Sequence, residues 1–566
     1  MSGRILPGRS FEPKLVSVLR HGYSLGDLRA DAMAGFTVAV VALPLAMALA
    51  IASGTTPDKG LHTAIVAGFL ISLLGGSKVQ IGGPTAAFIP VVFNVIEQYG
   101  YGGLVLCTLM AGLMLIAAGL LRLGNLMKFM PQPVITGFTA GIAVTIFVSQ
   151  VKDALGLKIE HLPGEFLARW QSYWAHLDTF NLAALTLTLI CLGGIVAIKR
   201  WRPQWPVLLM AVVGGSLLGL VLPVETIGST FGELPRALPQ IAFPHIPLDR
   251  TMDLLPASFT IAFLAGVESL LSAVVADGMT GGKHRSNAEL VAQGVANVGS
   301  ALIAGLPATG AIARTATNIR AGARSPIAGI AHSAFLLLFM LLLAPLMSHV
   351  PLPALAAVLL MVAWNMSEVD RFRRLMKSPW GDRLVLLTTF VLTVMFDLTV
   401  AIEVGVVMAA FIFMNRMSRV VEVEPDSEAG GLVDDEGNDE VGSAQRAALP
   451  PGVEACRVAG PLFFAAVSRL DNVLDQVPRG TRVFILRMRL VPIMDASGEA
   501  GLDALLDRCQ RRGIRAIFSG LQPQPRRTVI DMGMVHHPAL LGMASDFPAA
   551  LAMAQAYIDE DPAAAR

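Results

Sequence analysis

Between residue 27 and about residue 420, apolar runs follow one another with little polar interruption. A helix that crosses a bilayer needs roughly 20 largely apolar residues. About fourteen such runs can be separated here, the shortest of them below that length. Beyond residue 420 the pattern changes. "EPDSEAGGLVDDEGNDEVGSAQRAALPPG", from Glu424 to Gly452, is acidic, Gly-rich and poor in large apolar residues, which predicts a mobile linker. "RVFILRMRLVPIMD" alternates apolar and polar positions at its start, as a strand does. "SGEAGLDALLDRCQRRG" is amphipathic, with Ser497 as candidate cap and Gly513 as its stop. "IRAIFSGL" predicts a second strand and "QPRRTVIDMGMV" a second helix. Strands alternating with helices indicate a small α/β domain. The pattern therefore divides the chain into an N-terminal segment (1–26), a transmembrane domain (27–420), an acidic linker (421–450) and a soluble α/β domain (451–566).

Composition agrees with this division. Of 566 residues, 54% are hydrophobic and only 15% charged, with a mean hydropathy of +0.62, whereas soluble proteins carry about a quarter charged residues. The chain is a polytopic α-helical membrane protein. Its net charge of +1 says little, because the charge is unevenly placed. Cys107, Cys191, Cys456 and Cys509 are scattered without metal-ligand spacing, so neither a disulfide nor a metal site is expected. The polar N-terminus lacks the apolar core of a signal peptide, so no cleavage is expected.

Lysine and arginine placement sets orientation. With spans counted from Ala32, Arg122/Lys128, Lys199/Arg200/Arg202, Lys283/His284/Arg285, Arg320/Arg324, Arg371/Arg373/Arg374/Lys377 and Arg416/Arg419 follow spans 4, 6, 8, 10, 12 and 14. All even-numbered exits then face the cytoplasm, and so do both termini. Lys152 and Lys158, after span 5, are the main exceptions.

The membrane part reads as two repeats. Span 3 begins after "IGGPTAAFIPVVF" and span 10 after "AGLPATGAIARTA". Each has Gly and Pro, then Thr and small residues, then a short apolar run, and each is third in a group of seven. Spans 1 and 8 also match, as "GFTVAVVALPLAMALAIASG" and "FTIAFLAGVESLLSAVVADG". Seven is odd, so the second repeat is inverted relative to the first. Paired, Gly/Pro-interrupted short segments in two inverted halves point to a transporter's binding site. The plainer explanation is that Gly and Pro are common in any membrane helix.

The stretches "DLRADAMAGFTVAVVALPLAMALAIASG", "GGPTAAF", "VESLLSAVVADGMTGGKHRSNAELVAQGVANV", "ATGAIARTATNIRAGARSPIAG" and "FDLTVAIEVGVVMA" closely resemble the SulP anion transporters, called solute carrier family 26 in animals. The terminal domain resembles a STAS domain. "LLMVAWNMSEVDR", "VKDALGL" and "VAGPLFFAAVSRLD" resemble the bacterial subgroup that carries four-carbon dicarboxylates. The resemblance implies a core domain (spans 1–4 and 8–11) and a gate domain (spans 5–7 and 12–14). It further implies a homodimer in the bacterial cytoplasmic membrane, an elevator movement of core against gate, and an anion held between half-helices 3 and 10. No cofactor and no nucleic-acid partner are expected; a cytoplasmic protein partner is expected at the STAS domain.

Helices that begin in mid-membrane present free N–H groups and the positive ends of their dipoles, which together form an anion site. Arg314 lies about one turn into half-helix 10 and adds a full charge there. Its alternatives are capping neighbouring carbonyls and snorkelling to the cytoplasm. Ala86, Ala87, Ala311 and Ala313 let an anion approach the backbone, Thr85 offers a hydroxyl, and Phe88 and Ile312 flank these positions. In the resemblance, Thr85 stands where many animal members have an aromatic residue, and Ala313 where many have a serine. Leu45, after Pro44, replaces a common glutamine. Met47 and Leu49 are expected on the apolar wall or against lipid. Glu268 lies in mid-span, and a carboxyl group in that setting can carry a proton reversibly. The resemblance associates its position with proton or sodium coupling; the alternative is a structural carboxylate bonded to Ser269, Ser272 or Arg314. Ser497, within "MDASG", matches a phosphorylated serine of related antagonists and is otherwise a helix cap.

These features make a secondary active transporter of small organic anions the leading reading, with dicarboxylate moved alongside protons. Bicarbonate or sulfate is the alternative substrate, with proton or sodium coupling. A nucleobase permease shares the architecture but needs no positive site, and a sensor would need no half-helices. An enzyme is excluded, because the sequence holds no nucleophile–base constellation, no P-loop and no metal-ligand cluster.

Overall fold

The computed structural model describes residues 11–124, 130–159, 162–202, 205–233, 239–241, 247–396, 398–420, 422–425, 449–463, 474, 477, 478 and 480–560. Two compact units divide the chain, Met1–Ala409 and Ala410–Arg566. The membrane part contains α1 (Leu25–Ala52), α2 (Pro57–Leu74), α3 (Ile89–Leu120), α4 (Gln132–Ser149), α5 (Leu182–Trp201), α6 (Val207–Gly219) and α7 (Thr251–Thr280). It continues with α8 (Ser286–Leu302), α9 (Ile312–Arg320), α10 (Ile327–Met347), α11 (Leu352–Met366), α12 (Trp380–Met395) and α13 (Leu398–Val420).

Among the described residues, eight helices are long and apolar enough to cross a membrane. The rest are short or interrupted. In α3, Gly100 has a φ of 69° and breaks the helix into two spans. With α3 counted twice, the thirteen helices give two groups of seven, in keeping with the expected fourteen. Their packing has the symmetry of a repeat. α3 packs on α7 and α8, and its counterpart α10 packs on α1 and α2. α4 packs on α12, and its counterpart α11 packs on α5. Exchanging the halves maps each of these contacts onto another of them. Small residues set the closest approach: a Cβ on Gly112 would meet the Gly294 carbonyl at 2.8 Å, and one on Gly294 would meet the Gly112 carbonyl at 2.6 Å.

Two extended segments lie ahead of the half-helices. β1 (Gly82–Gly83) pairs antiparallel with β2 (Thr309–Gly310), with Gly82 opposite Gly310 and Gly83 opposite Thr309. Irregular backbone inside a membrane protein is tolerated only where its N–H and C=O groups are satisfied. Side chains from several helices do this work. Glu289 Oε2 accepts from the Gly76 and Ser77 amides at 2.8 and 3.1 Å, and its other oxygen accepts from Gln293 at 2.8 Å. Thr315 accepts from the Ile81 amide at 3.1 Å, and Asn318 donates to the Val79 carbonyl at 2.8 Å. On the β2 side, Asn297 exchanges two bonds with Ala308, at 2.8 and 2.9 Å. Thr63 accepts from the Leu306 amide at 2.6 Å.

The soluble unit holds a five-stranded sheet in the order β3 (Glu422–Pro425), β4 (Val453–Ala459), β5 (Val483–Leu490), β6 (Arg515–Ser519), β7 (Leu540–Ala544). β3 runs antiparallel to β4, and the other pairs are parallel. α14 (Ala496–Arg511), α15 (Pro523–Asp531) and α16 (Phe547–Glu560) complete it. Three expectations change here. The start of the predicted linker, Glu422–Pro425, is an edge strand, a position that tolerates its terminal proline; residues 426–448 lie outside the described ones. β5 does not alternate: its first six residues are all buried, because a central parallel strand is covered on both faces. The cap of α14 is Asp495, which accepts from the Gly498 amide at 2.8 Å, and Ser497 sits inside the first turn. Gly513 does follow the end of α14, with a φ of 71°.

Glu289 is fully buried, so Glu289→Ala leaves two amides and the Gln293 side chain without their acceptor. The expected loss is on the order of 3 kcal/mol, read as a lowered midpoint of thermal unfolding in detergent, with Glu289→Gln losing markedly less.

Candidate functional site

The β1–β2 pair delivers both half-helices to one place. Thr85 is extended (φ −126°, ψ 158°) and precedes the turn Ala86–Phe88 that leads into α3. Ala311 is extended (φ −92°, ψ 111°) and precedes α9. The Ala311 amide donates to the Ile81 carbonyl at 2.8 Å, which continues the strand pairing to the edge of α9. Neither helix start receives a side-chain cap. Two positive helix ends thus lie close together with no serine or aspartate side chain on them, a geometry able to attract an anion.

Arg314 lies in the first turn of α9, 4% exposed. Its Nη2 donates to the Pro84 carbonyl at 2.6 Å, while Nε and Nη1 have no partner. It therefore braces the segment ahead of α3, as the carbonyl-capping alternative expects, and it brings an unneutralised charge to the same place. Snorkelling does not occur. Glu268, half-buried on α7, accepts from the Thr85 hydroxyl at 2.9 Å. The alternative partners Ser269, Ser272 and Arg314 are not used. Ser269 donates to the Gly266 carbonyl at 3.2 Å and Ser272 to Thr315 at 3.0 Å. One cation and one carboxylate thus flank the helix starts without forming an ion pair.

The remaining candidates separate by exposure. Ile312 (40% exposed) and Ala313 are open, and Leu45 and Thr85 are half-buried. Ala86 and Ala311 are each 8% exposed. Ala87, Phe88, Met47 and Leu49 are buried at 2% or less. Met47 and Leu49 therefore face neither lipid nor an open cleft. Ser497 is half-buried in the other unit. Among the described residues, no group of three or more His, Cys, Asp or Glu side chains could hold a metal ion.

Several polar residues of the site went unnoticed in the sequence. Gln80 donates to the Ser269 carbonyl at 3.2 Å, and Thr309 donates to the Ala265 carbonyl at 2.8 Å, which ties the segment ahead of β1, and β2 itself, to α7. His332 is fully buried with neither ring nitrogen partnered. Glu289 resembles an ordinary first-turn acid in "RSNAEL", and nothing local marks it as buried. The only signal was the density of Gln, Asn, Thr and Ser around the two Gly/Pro breaks.

A Cβ at Gly83 would lie 2.6 Å from Arg314 Nη1, and Gly83 has a φ of 148°. Gly83→Ala is therefore expected to push the guanidinium out of place and to weaken anion binding at least tenfold, about 1.4 kcal/mol, in a protein that still folds. Anion-dependent thermal stabilisation of the variant measures this directly. Asp495→Ala, in the other unit, is expected to cost about 1 kcal/mol of that unit's stability through the lost cap and to leave anion binding unchanged.

The family model described as the sulfate permease family matches residues 28–389, and the STAS domain model matches residues 447–541. YvdB of Bacillus subtilis (strain 168), provisionally named a sulfate transporter, is 42% identical over 519 residues, 91% of this chain and 96% of its own. The solved transmembrane domain of a cyanobacterial bicarbonate transporter, BicA, is 30% identical with a TM-score of 0.61, covering 67% of this chain and 98% of that one. The inward-facing structure of the murine anion transporter Slc26a9 shares the fold at 18% identity, with a TM-score of 0.83 over 98% of this chain and 96% of that one. With the family model matching well over half of the chain and YvdB 42% identical over 91% of it, the protein belongs to the sulfate permease (SulP) family of anion transporters.

Proposed function

We propose that the chain is a secondary active transporter of a small inorganic oxyanion, sulfate or bicarbonate. The observation that carries this reading is the pair of uncapped helix starts held side by side with the unneutralised Arg314 behind them. Relatives named for sulfate and for bicarbonate support it. The core (α1–α3 and α7–α10) moves as an elevator against the gate (α4–α6 and α11–α13). Glu268 carries the coupling proton, and sodium is the other candidate ion. Both termini lie in the cytoplasm and the working unit is a homodimer. The STAS domain modulates turnover, and Ser497 is its candidate modification site.

Four-carbon dicarboxylates such as succinate or fumarate remain the second reading. One observation favours it: Thr85 leaves space where many animal members of the family have an aromatic residue.

Uptake into proteoliposomes of labelled sulfate, bicarbonate and succinate, under imposed proton and sodium gradients, tests both readings. Gradient-driven accumulation of sulfate or bicarbonate is expected; accumulation of succinate alone would replace the first reading with the second. Arg314→Ala is expected to abolish uptake of whichever anion is carried.

Protonation of Glu268 removes its repulsion of an incoming anion, so proton and anion bind cooperatively. Glu268→Gln fixes the neutral form. The variant is expected to bind substrate and to exchange it across the membrane, but to lose accumulation driven by a pH gradient. Comparing counterflow with gradient-driven uptake in the same vesicles measures the difference, and undiminished accumulation by the variant would place the coupling ion elsewhere.

A further inference from the structure

A cavity of about 620 Å³ lies among the gate helices, apart from the half-helices. It is lined by the segment after α4 (Lys152, Asp153 and Lys158), the turn before α5 (Asn181), the turn after α6 (Glu225) and the start of α11. On the orientation argued above, these four places share the external end of the bundle. Lys152 and Lys158 are also the two residues that break the charge rule for orientation.

The charges in this cavity are balanced but not paired. Lys152 Nζ donates to the Ile159 carbonyl at 2.6 Å, and Lys158 is exposed. The charge of Lys152 acts favourably on Asp153 and that of Glu225 acts against it, but among the described residues neither carboxylate lies within ion-pair distance of a lysine. Two ammonium groups and two carboxylates therefore line one space without direct ion pairs between them. A ligand with both signs satisfies them at once, its cation between the carboxylates and its anion at the lysines. The rim is apolar. Phe180 and Leu182 line the cavity at 41% and 67% exposed, and Val221, beside it, is 85% exposed.

We propose that this cavity binds the headgroup of an amine-bearing phospholipid from the external leaflet. The ammonium sits between Asp153 and Glu225, and the phosphate meets Lys158 and Lys152. The shared chemistry is an ammonium and a phosphate a few ångströms apart, which free ethanolamine phosphate also carries. The exposed apolar rim, which suits acyl chains, selects the lipid. A lipid held there ties the gate helices to the bilayer, which suits the part that stays still while the core moves. The elevator reading is not needed for binding itself.

The test uses the full chain in nanodiscs of phosphatidylethanolamine, of phosphatidylglycerol and of a mixture of the two, with retained lipid read by native mass spectrometry. Wild type is expected to retain phosphatidylethanolamine over phosphatidylglycerol by about tenfold. Lys158→Glu, at an exposed position that folding tolerates, and the pair Asp153→Asn/Glu225→Gln are each expected to abolish that preference. Equal retention of the two lipids by wild type would overturn the proposal, as would an undiminished preference in both variants. Protection by millimolar ethanolamine phosphate without retained lipid would assign the cavity to a soluble zwitterion and overturn the lipid as occupant. Anion uptake by Lys158→Glu, measured in parallel, reports on the transport site separately.

Discussion

An irregular backbone in the middle of a membrane protein has no water to satisfy it, and every feature of this site follows from that constraint. The two segments ahead of the half-helices satisfy each other first, through the pairing of Gly82–Gly83 with Thr309–Gly310. What that pair leaves over is taken up by side chains from both halves of the chain. Glu289, from the second half, holds the loop ahead of β1, and Thr63, from the first half, holds the loop ahead of β2. The two breaks thus depend on each other, and neither half could build its own half-helix alone. The two half-helix starts themselves receive no side-chain cap.

The charges obey the same logic. Arg314 is 4% exposed and has a single partner, the Pro84 carbonyl, for its five donors. Burying a charge that poorly satisfied is costly unless something compensates it. Glu268 does not, because its carboxylate is turned to Thr85. Arg314 therefore stands as an uncompensated cation beside two positive helix ends, an arrangement whose electrostatics favour an anion. Thr85 sits at the junction: its backbone leads into one half-helix while its hydroxyl reports on Glu268. A change at the Thr85 end of α3 is therefore felt at Glu268 through one hydrogen bond.

Much of this was legible in the sequence, and the reason is physical. The apolar runs, the Gly/Pro breaks and the matching positions in the two halves are local patterns that a membrane imposes directly. Arg314 and Glu268 stood out because a charge among apolar residues is rare. Glu289, Asn297, Asn318 and Thr63 did not stand out. Each looks like an ordinary polar residue of a helix, and its importance appears only when a loop more than 200 residues away, or on the other side of a short turn, is brought against it. The exposure of Ile312 and burial of Met47 and Leu49 were likewise invisible, since apolar residues look alike whether they face a cleft, lipid or one another. In the soluble unit the elements were legible. Their burial was not: β5 is covered on both faces by neighbours that its own sequence does not name.

The bracing also restricts how the site can move. β1 and β2 are bonded to each other, and they and the residues just ahead of them are bonded to α7 through Gln80 and Thr309, to α8 through Asn297, and to α9 through Thr315. Bending a half-helix away from its partner would break several buried hydrogen bonds at once, each costly to leave unmade in a dry interior. A change of access that keeps those bonds is therefore far cheaper than one that breaks them. The helices α4, α5, α11 and α12 pack on one another, and they are joined to the braced block by the packing of α11 on α1; α13 is joined to it by the Thr260–Thr399 hydrogen bond from α7 at 2.7 Å. A displacement that keeps the bracing intact therefore carries the two half-helix starts, Arg314 and Glu268 as one block.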